Sequence, residues 1–156
     1  MITPLTRANI ENVLTKCFLE FWDKRTPVVL KNQVQVMMPP ETPAWVYYVI
    51  QVTASRQESF GSYITQYLRV GRIMAEVFVG SGLVTGLQNE YASAIFDYYE
   101  RRSFSPLRIL NIMQVDLPDG AHRRASITGD GKWFGTQVNV QWAFTETKKG
   151  VEQWER

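Results

Sequence analysis

The sequence predicts an α+β protein, in which two helices pack on a mostly antiparallel sheet with a long protruding β-hairpin. Two runs of strand-forming residues, Ala44 to Arg56 and Gln66 to Val79, flank one polar turn. Each run would reach roughly 40 Å at about 3.3 Å per residue, which is long for a strand. Apolar residues also recur at steps of three and four before and after this hairpin, which is typical of amphipathic helices.

The first helix is predicted to begin at Pro4, since proline suits the first helical position, and to end at Thr26, just before Pro27. Its apolar stripe contains Ile10, Val13, Leu14, Cys17, Phe18, Phe21 and Trp22. A first strand is predicted from Val28 to Met37.

Cys17 is the only cysteine, so no disulfide can form within the chain.

Each arm of the hairpin is predicted to alternate between two faces of the sheet. In the first arm Val46, Tyr48, Ile50 and Val52 share one face, while Trp45, Tyr47 and Val49 share the other. In the second arm Ile73, Ala75, Val77 and Val79 share a face. Gly71 lies inside this arm, which indicates a bulge or a close approach of another group to the backbone.

The rest of the chain is predicted to add a second helix and two strands. Thr85 and Gln88 fit a capping box at the start of the helix, which ends near Ser103. A strand follows from Arg108 to Val115, then a polar loop from Leu117 to Gly131. In the last strand Phe134, Val138, Val140, Trp142 and Phe144 point one way, and Gln137, Asn139 and Gln141 the other. From Thr145 the chain is expected to fray, so residues 1–146 are predicted as one domain and 147–156 as a polar tail.

Composition and charge exclude several classes of protein. The net charge of +2 is too small to make a strong nucleic-acid binder without a local basic patch. The longest apolar run, Ala44 to Ile50, is far shorter than the roughly 20 residues that cross a bilayer. The N-terminus lacks the pattern of a signal peptide, so no membrane partner is expected.

No motif for catalysis, metal or cofactor binding is convincing. His122 is the only histidine and has no nearby nucleophile in a known motif, so it is interpreted as a solvated loop residue. One histidine and one cysteine cannot supply a zinc site. The run Gly80 to Gly86 follows a strand and precedes a helix, but its glycine spacing is one residue too long for a dinucleotide fingerprint.

The arginines allow two interpretations. Those on the hairpin and in the polar loop could line a channel that passes DNA, or could be solvated charges and subunit salt bridges. The residues concerned are Arg56, Arg69, Arg72, Arg123 and Arg124. Glu58 and Glu76 partly offset this charge.

Over roughly residues 5 to 146 the chain resembles the small tail-terminator (tail completion) proteins of long-tailed bacteriophages. The matching stretches are Thr26-Pro27-Val28-Val29-Leu30, Pro43-Ala44-Trp45-Val46, Ser55-Arg56-Gln57, Arg69-Val70-Gly71-Arg72-Ile73, Arg102-Ser103-Phe104 and Trp133-Phe134-Gly135-Thr136-Gln137-Val138-Asn139-Val140. The resemblance implies a tail-tube-like fold and a hexameric ring that caps the tail tube, stops its growth and joins the head. It also implies that genomic DNA would pass through the central hole of the ring without recognition of its sequence.

The sequence is therefore interpreted as a structural virion protein without enzymatic activity, made in the host cytoplasm and sited at the head-proximal end of the tail. Subunit or tube contacts are predicted at Tyr63, Tyr67, Arg69 and Arg72. Lumen or partner contacts are predicted at Arg56, His122, Arg123 and Arg124. The alternatives are a head-completion or connector protein of the neck, a small basic DNA-binding module, and a small enzyme.

Overall fold

The computed structural model describes residues 4–31, 44–58, 64–80, 86–117 and 133–149. Within these ranges the chain forms two helices and five strands. In chain order they are α1 (Ile10–Trp22), β1 (Val28–Leu30), β2 (Ala44–Gln57), β3 (Ile64–Gly80), α2 (Gly86–Arg101), β4 (Arg108–Asp116) and β5 (Trp133–Lys149).

The strands form one mixed sheet in the order β1-β2-β3-β5-β4. Strand β1 runs parallel to β2 and pairs with Val46, Tyr47 and Tyr48. The pairs β2·β3, β3·β5 and β4·β5 are antiparallel. The predicted α+β class with two helices is confirmed, and the sheet is mixed.

The two long arms of the predicted hairpin are β2 and β3, which pair from Ala44↔Val79 to Gln57↔Tyr67. The other edge of β3 is paired with β5 along its whole length, from Ile64↔Lys149 to Gly80↔Trp133. Fraying was therefore a wrong prediction for Thr145 to Lys149, because β5 continues through Lys149; residues 150–156 lie outside the described residues. The far end of the hairpin is a three-stranded sheet, since β5 accompanies it.

Both helices pack on one face of the sheet, which we call the helix face. The main core on this face contains Ile10, Leu14, Phe18 and Trp22 from α1, Ala92, Ile95, Tyr98 and Tyr99 from α2, and Val46, Tyr48, Ile50, Ile73, Ala75, Val77, Val79, Val138, Val140, Trp142 and Phe144 from the sheet. The alternation predicted for the hairpin and the last strand is confirmed at these positions. Phe134 is the exception: it is 45% exposed, near the start of β5.

The opposite face carries none of the core residues of α1 and α2 within the described residues, and we call it the helix-free face. A second, smaller apolar cluster lies there, with Val29, Trp45, Tyr47, Val49, Phe78, Leu117 and Trp133. The start of β2 and the end of β3, which lie near β1, are therefore apolar on both faces of the sheet. Farther along, the helix-free face becomes polar at Arg72, Gln51 and Gln141.

Helix α1 begins later and ends earlier than predicted. The backbone N–H of Thr6 donates to Asn9 Oδ1 at 2.8 Å, and that of Asn9 donates to Thr6 Oγ1 at 3.1 Å. These local bonds satisfy the backbone in a turn, so the helix starts only at Ile10. It ends at Trp22, because Asp23 and Lys24 adopt left-handed conformations with φ of 46° and 61°.

Gly71 permits a close approach, as its position inside the strand predicted. A Cβ built there would lie 2.2 Å from the backbone oxygen of Gln51 and 2.2 Å from Cζ2 of Trp142. The ladder between β2 and β3 also shifts register between Val52 and Ala54, next to this point. The extra residue lies on β2 rather than at the glycine, and it turns the outer part of β2 relative to β3.

The side chain of Gln88 bonds to the sheet. Its amide donates to Thr136 Oγ1 on β5, and Thr136 Oγ1 in turn donates to Asp116 Oδ1 on β4 at 3.0 Å. Thr85, the predicted partner of Gln88 in a capping box, lies outside the described residues. The observed chain of bonds fixes the first turn of α2 against β4 and β5.

Candidate functional site

The far end of the hairpin contains most of the predicted contact residues that the structure describes. Tyr67 and Arg69 lie on the helix face, whereas Arg72 and Arg56 lie on the helix-free face. Positions 69 and 72 are an odd number of residues apart on one strand, so their side chains point to opposite faces. A single channel wall containing all three hairpin arginines is therefore a wrong interpretation.

Arg69 belongs to a buried ion pair within the chain. It is 6% exposed, and its Nε lies 3.4 Å from Oε1 of Glu146, which is 4% exposed. The same oxygen accepts the backbone N–H of Arg7 at 2.6 Å, and Lys148 Nζ lies 3.5 Å from Oε2. Arg69 is thus not presented on the surface as an interface contact, because β5 and the segment before α1 supply its partner and its cover.

The electrostatic environment holds Glu146 in its charged form. Burial raises the pKa of the Glu146 carboxyl, but the N–H of Arg7 and the cations of Arg69 and Lys148 lower it more, so this pKa lies below its ordinary value. A carboxylate with these partners is well suited to hold separate parts of the chain together. It gives the far end of the hairpin a charged centre inside the protein.

Tyr67 lies beside this ion pair and is half-buried. The guanidinium of Arg69 is 4.7 Å from the centre of its ring, and Lys148 Nζ is 5.8 Å from it. Cation–π contacts of this kind attract the ring and the cations to each other. The half-buried ring of Tyr67 is partly accessible to a neighbouring molecule, and its role as a contact residue stays a prediction.

The polar part of the helix-free face contains Arg72 and Arg56. Arg72 Nε donates to Gln51 Oε1 at 3.0 Å, and Arg56 Nη2 lies 3.8 Å from Glu58 Oε1. The neighbouring positions of β5 on this face are Gln137, Asn139 and Gln141. Glu76 also lies on this face but is 1% exposed, so its carboxylate is not part of the accessible surface.

Strand β4 is an edge that sequence reasoning did not single out. It pairs with β5 on one side and with no strand on the other within the described residues. Leu110, Met113 and Val115 are each about half exposed along it, and a groove of about 480 Å³ lies between it and α2. Apolar side chains next to unpaired backbone are typical of a strand that meets another chain.

Two buried tyrosine hydroxyls also have shifted pKa values. Tyr48 and Tyr99 lie in the main core with their hydroxyl oxygens 2.7 Å apart. Burial raises the pKa of both, so both stay protonated and satisfy each other. This pair is interpreted as a bond between β2 and α2 inside the core, since each polar atom has its partner.

Several predicted residues fall outside the described part of the chain: Tyr63, His122, Arg123 and Arg124. In the part that the structure describes, no cluster of three or more His, Cys, Asp or Glu side chains could hold a metal ion. The two described helices do not have the length and apolar character that crossing a membrane requires.

Comparisons with known proteins bear on the fold alone. No protein-family model matches the sequence, and no curated protein matches it. One solved protein chain is similar with a TM-score of 0.55 over 96% of this chain and 100% of its own length, at 13% sequence identity. The α+β arrangement of the whole chain is thus shared with a solved protein.

Proposed function

We propose that this protein is a structural virion component that caps the end of a phage tail tube, stops its polymerisation and forms the head-joining surface as a ring. The resemblance of the sequence supports the role. The observation that carries the ring is that, among the described residues, two stretches of edge strand have no strand paired on their outer side, β4 at one side of the sheet and Val49 to Arg56 of β2 at the other.

The two edges are similar in length. Strand β4 has 9 residues, and the part of β2 beyond β1 extends from Val49. On its outer side, residues Val49 to Arg56 pair with no described strand. Exposed edges invite pairing with another chain, and pairing between copies of this protein would satisfy both at once.

The directions of the edge strands also fit a ring. Strands β2, β3, β5 and β4 alternate in direction, so β4 runs opposite to β2. A rotation that brings β4 of one copy beside β2 of the next makes these two strands an antiparallel pair. The sheet then continues from copy to copy with its helix face on the same side. Such a head-to-tail interface repeats until the rotation closes a ring.

The helix-free face is the surface that we assign to the central hole. Arg56 and Arg72 would meet phosphates there, and Gln141 and Asn139 add uncharged polar groups. Contacts between cations and phosphates carry no sequence information, which suits a channel that any genome must pass.

Tail length is the decisive measurement. Electron micrographs of tails made without this protein are expected to show overlong tubes, and supplying the protein should restore a uniform length. Tubes of normal length in its absence would refute the termination role. Co-purification with heads rather than with tails would instead indicate the alternative of a head-completion or connector protein.

Tyr67→Asp is expected to block ring or tube assembly while the monomer stays folded. The new carboxylate would lie near Arg69 and Lys148, whose two cations offset its charge and that of Glu146 opposite it on β5, so the monomer can accommodate it. A neighbouring subunit would instead meet a charge in place of a ring. Sedimentation with tube ends measures assembly, and circular dichroism measures folding.

The matched control is Tyr67→Phe, which keeps the ring and its two cation contacts and should assemble as the unmodified protein does. A Tyr67→Asp monomer that loses its fixed tertiary structure would contradict the assignment. It would mean that the ring of Tyr67 is needed for folding rather than for contact.

One observation favours a second candidate, a small DNA-binding module. Arg56 and Arg108 are exposed on the helix-free face, with Arg72 half-buried between them. Affinity of the monomer for DNA that falls steeply as salt increases would support this alternative, because such binding depends on counterion release. Weak binding at every salt concentration would exclude it.

A further inference from the structure

The segment from Pro4 to Asn9, which we call the strap, precedes α1 and is ordered by its own bonds. Asn9 Nδ2 donates to the backbone oxygen of Pro4 at 2.8 Å, in addition to the two bonds between Thr6 and Asn9. Leu5 anchors the strap to the main core and is 9% exposed. The strap is thus a small unit held by bonds of its own and by the burial of Leu5.

Glu146 supplies the polar attachment that the structure records between the strap and the sheet. Its Oε1 accepts the backbone N–H of Arg7 and also lies nearest to Nε of Arg69. One carboxylate oxygen therefore serves the strap and the buried cation together. Protonation or replacement of the Glu146 carboxylate therefore weakens two interactions, the bond from the Arg7 N–H and the ion pair with Arg69.

We propose that the strap opens independently of the core and that Glu146 is the charge-sensitive latch that keeps it closed. Neutralising the carboxylate takes the counterion from Arg69, which is then a buried cation without a partner. Water must enter to solvate that cation. The strap contacts this carboxylate through the Arg7 N–H, so its release would open a path for water to the carboxyl and the cation.

Acid is the natural trigger of this latch. The charged side chains that contact Glu146 are Arg69 from β3 and Lys148 from β5; the strap contributes the backbone N–H of Arg7, and Tyr67 on β3 lies opposite Glu146 in the sheet. Arginine, lysine and tyrosine side chains do not ordinarily titrate in acid, so the carboxylate is the group that changes charge there.

The sign follows from the lowered pKa of Glu146 in the folded protein. A carboxyl whose pKa is lower when folded stabilises the fold above its ordinary pKa. That contribution is lost as the pH falls through the folded value. The strap should therefore be closed near neutral pH and open progressively below the ordinary pKa of a glutamate.

Hydrogen exchange of the Arg7 amide in the full chain tests the proposal, with protection factors compared with those of core amides such as Val140. In the unmodified protein the protection of Arg7 should fall on acidification before that of the core. Glu146→Leu should lower the protection of Arg7 at least about tenfold at neutral pH. Glu146→Gln keeps an acceptor oxygen without the charge, so its protection should be intermediate and should not change with acid.

The matched control is Glu58→Gln, since Glu58 forms an exposed ion pair with Arg56 at the same end of the sheet. It should leave the exchange of Arg7 and its acid dependence unchanged. Protection of Arg7 that survives in Glu146→Leu, or that is lost only together with the core on acidification, overturns the proposal. The acid titration needs no variant, so it decides the matter even if Glu146→Leu does not fold. It is also independent of the proposed ring.

Discussion

Gly71→Ala is expected to lower the free energy of unfolding by about 3 kcal/mol, at the upper end of the roughly 1–3 kcal/mol that overpacking a core typically costs. The added Cβ would lie 2.2 Å from the backbone oxygen of Gln51 on one side and 2.2 Å from the ring of Trp142 on the other. Trp142 is fully buried, so its ring has no free space to enter. Denaturant unfolding followed by tryptophan fluorescence measures the loss.

Gly86→Ala is the matched control, because the structure has no atom within 4 Å of a Cβ built at Gly86. This change should leave stability unaltered or raise it by up to about 1 kcal/mol, through the reduced freedom of the unfolded chain. Equal effects of the two substitutions would contradict the steric explanation. A harmless Gly71→Ala would mean that β2 and β5 approach β3 less closely than the structure has them.

The hairpin and its facing could be predicted because burial leaves a period of two in the sequence. Val46, Tyr48 and Ile50 are apolar since they meet α1 and α2, and that requirement is visible without any structure. The continuation of β5 through Lys149 leaves no such signal. Its last residues are polar, and their strand conformation depends on backbone bonds to β3, which any side chain permits.

The ion pair of Arg69 and Glu146 could be predicted only in part. Glu146 continues the alternation of Trp142 and Phe144, so period two alone places a carboxylate on the core-facing side of β5. The sequence around Glu146 does not identify its partner, because Arg69 lies much earlier in the chain, on β3, which only the folded sheet brings next to β5. The strap was not predicted, because Pro4 was interpreted as the first residue of the helix. The side chains of Thr6 and Asn9 instead bond to each other's backbone N–H, and residues 7–9 form a turn before the helix starts at Ile10.

The edge on β4 shows why a strand prediction does not by itself predict a surface. The sequence of β4 contains Ile109, Leu110, Ile112, Met113 and Val115, which favours a buried strand. In the sheet it comes last among the described strands, so one side of its backbone pairs with no described strand and Leu110, Met113 and Val115 stay about half exposed. The order of strands decides exposure, and strand order is a property of the whole fold.

Val140→Asp is expected to abolish folding, with a loss of more than about 4 kcal/mol, because it buries a charge without a partner. Val140 is fully buried between Ile73 on β3 and Ile112 on β4. Circular dichroism and denaturant unfolding would detect the loss. The matched control is Gln141→Asp, one residue farther along β5, where the side chain is exposed on the helix-free face opposite Arg72. There the carboxylate meets water and a cation, so stability should change by less than about 1 kcal/mol. A cooperatively folded Val140→Asp protein would mean that β5 does not bring Val140 into the main core.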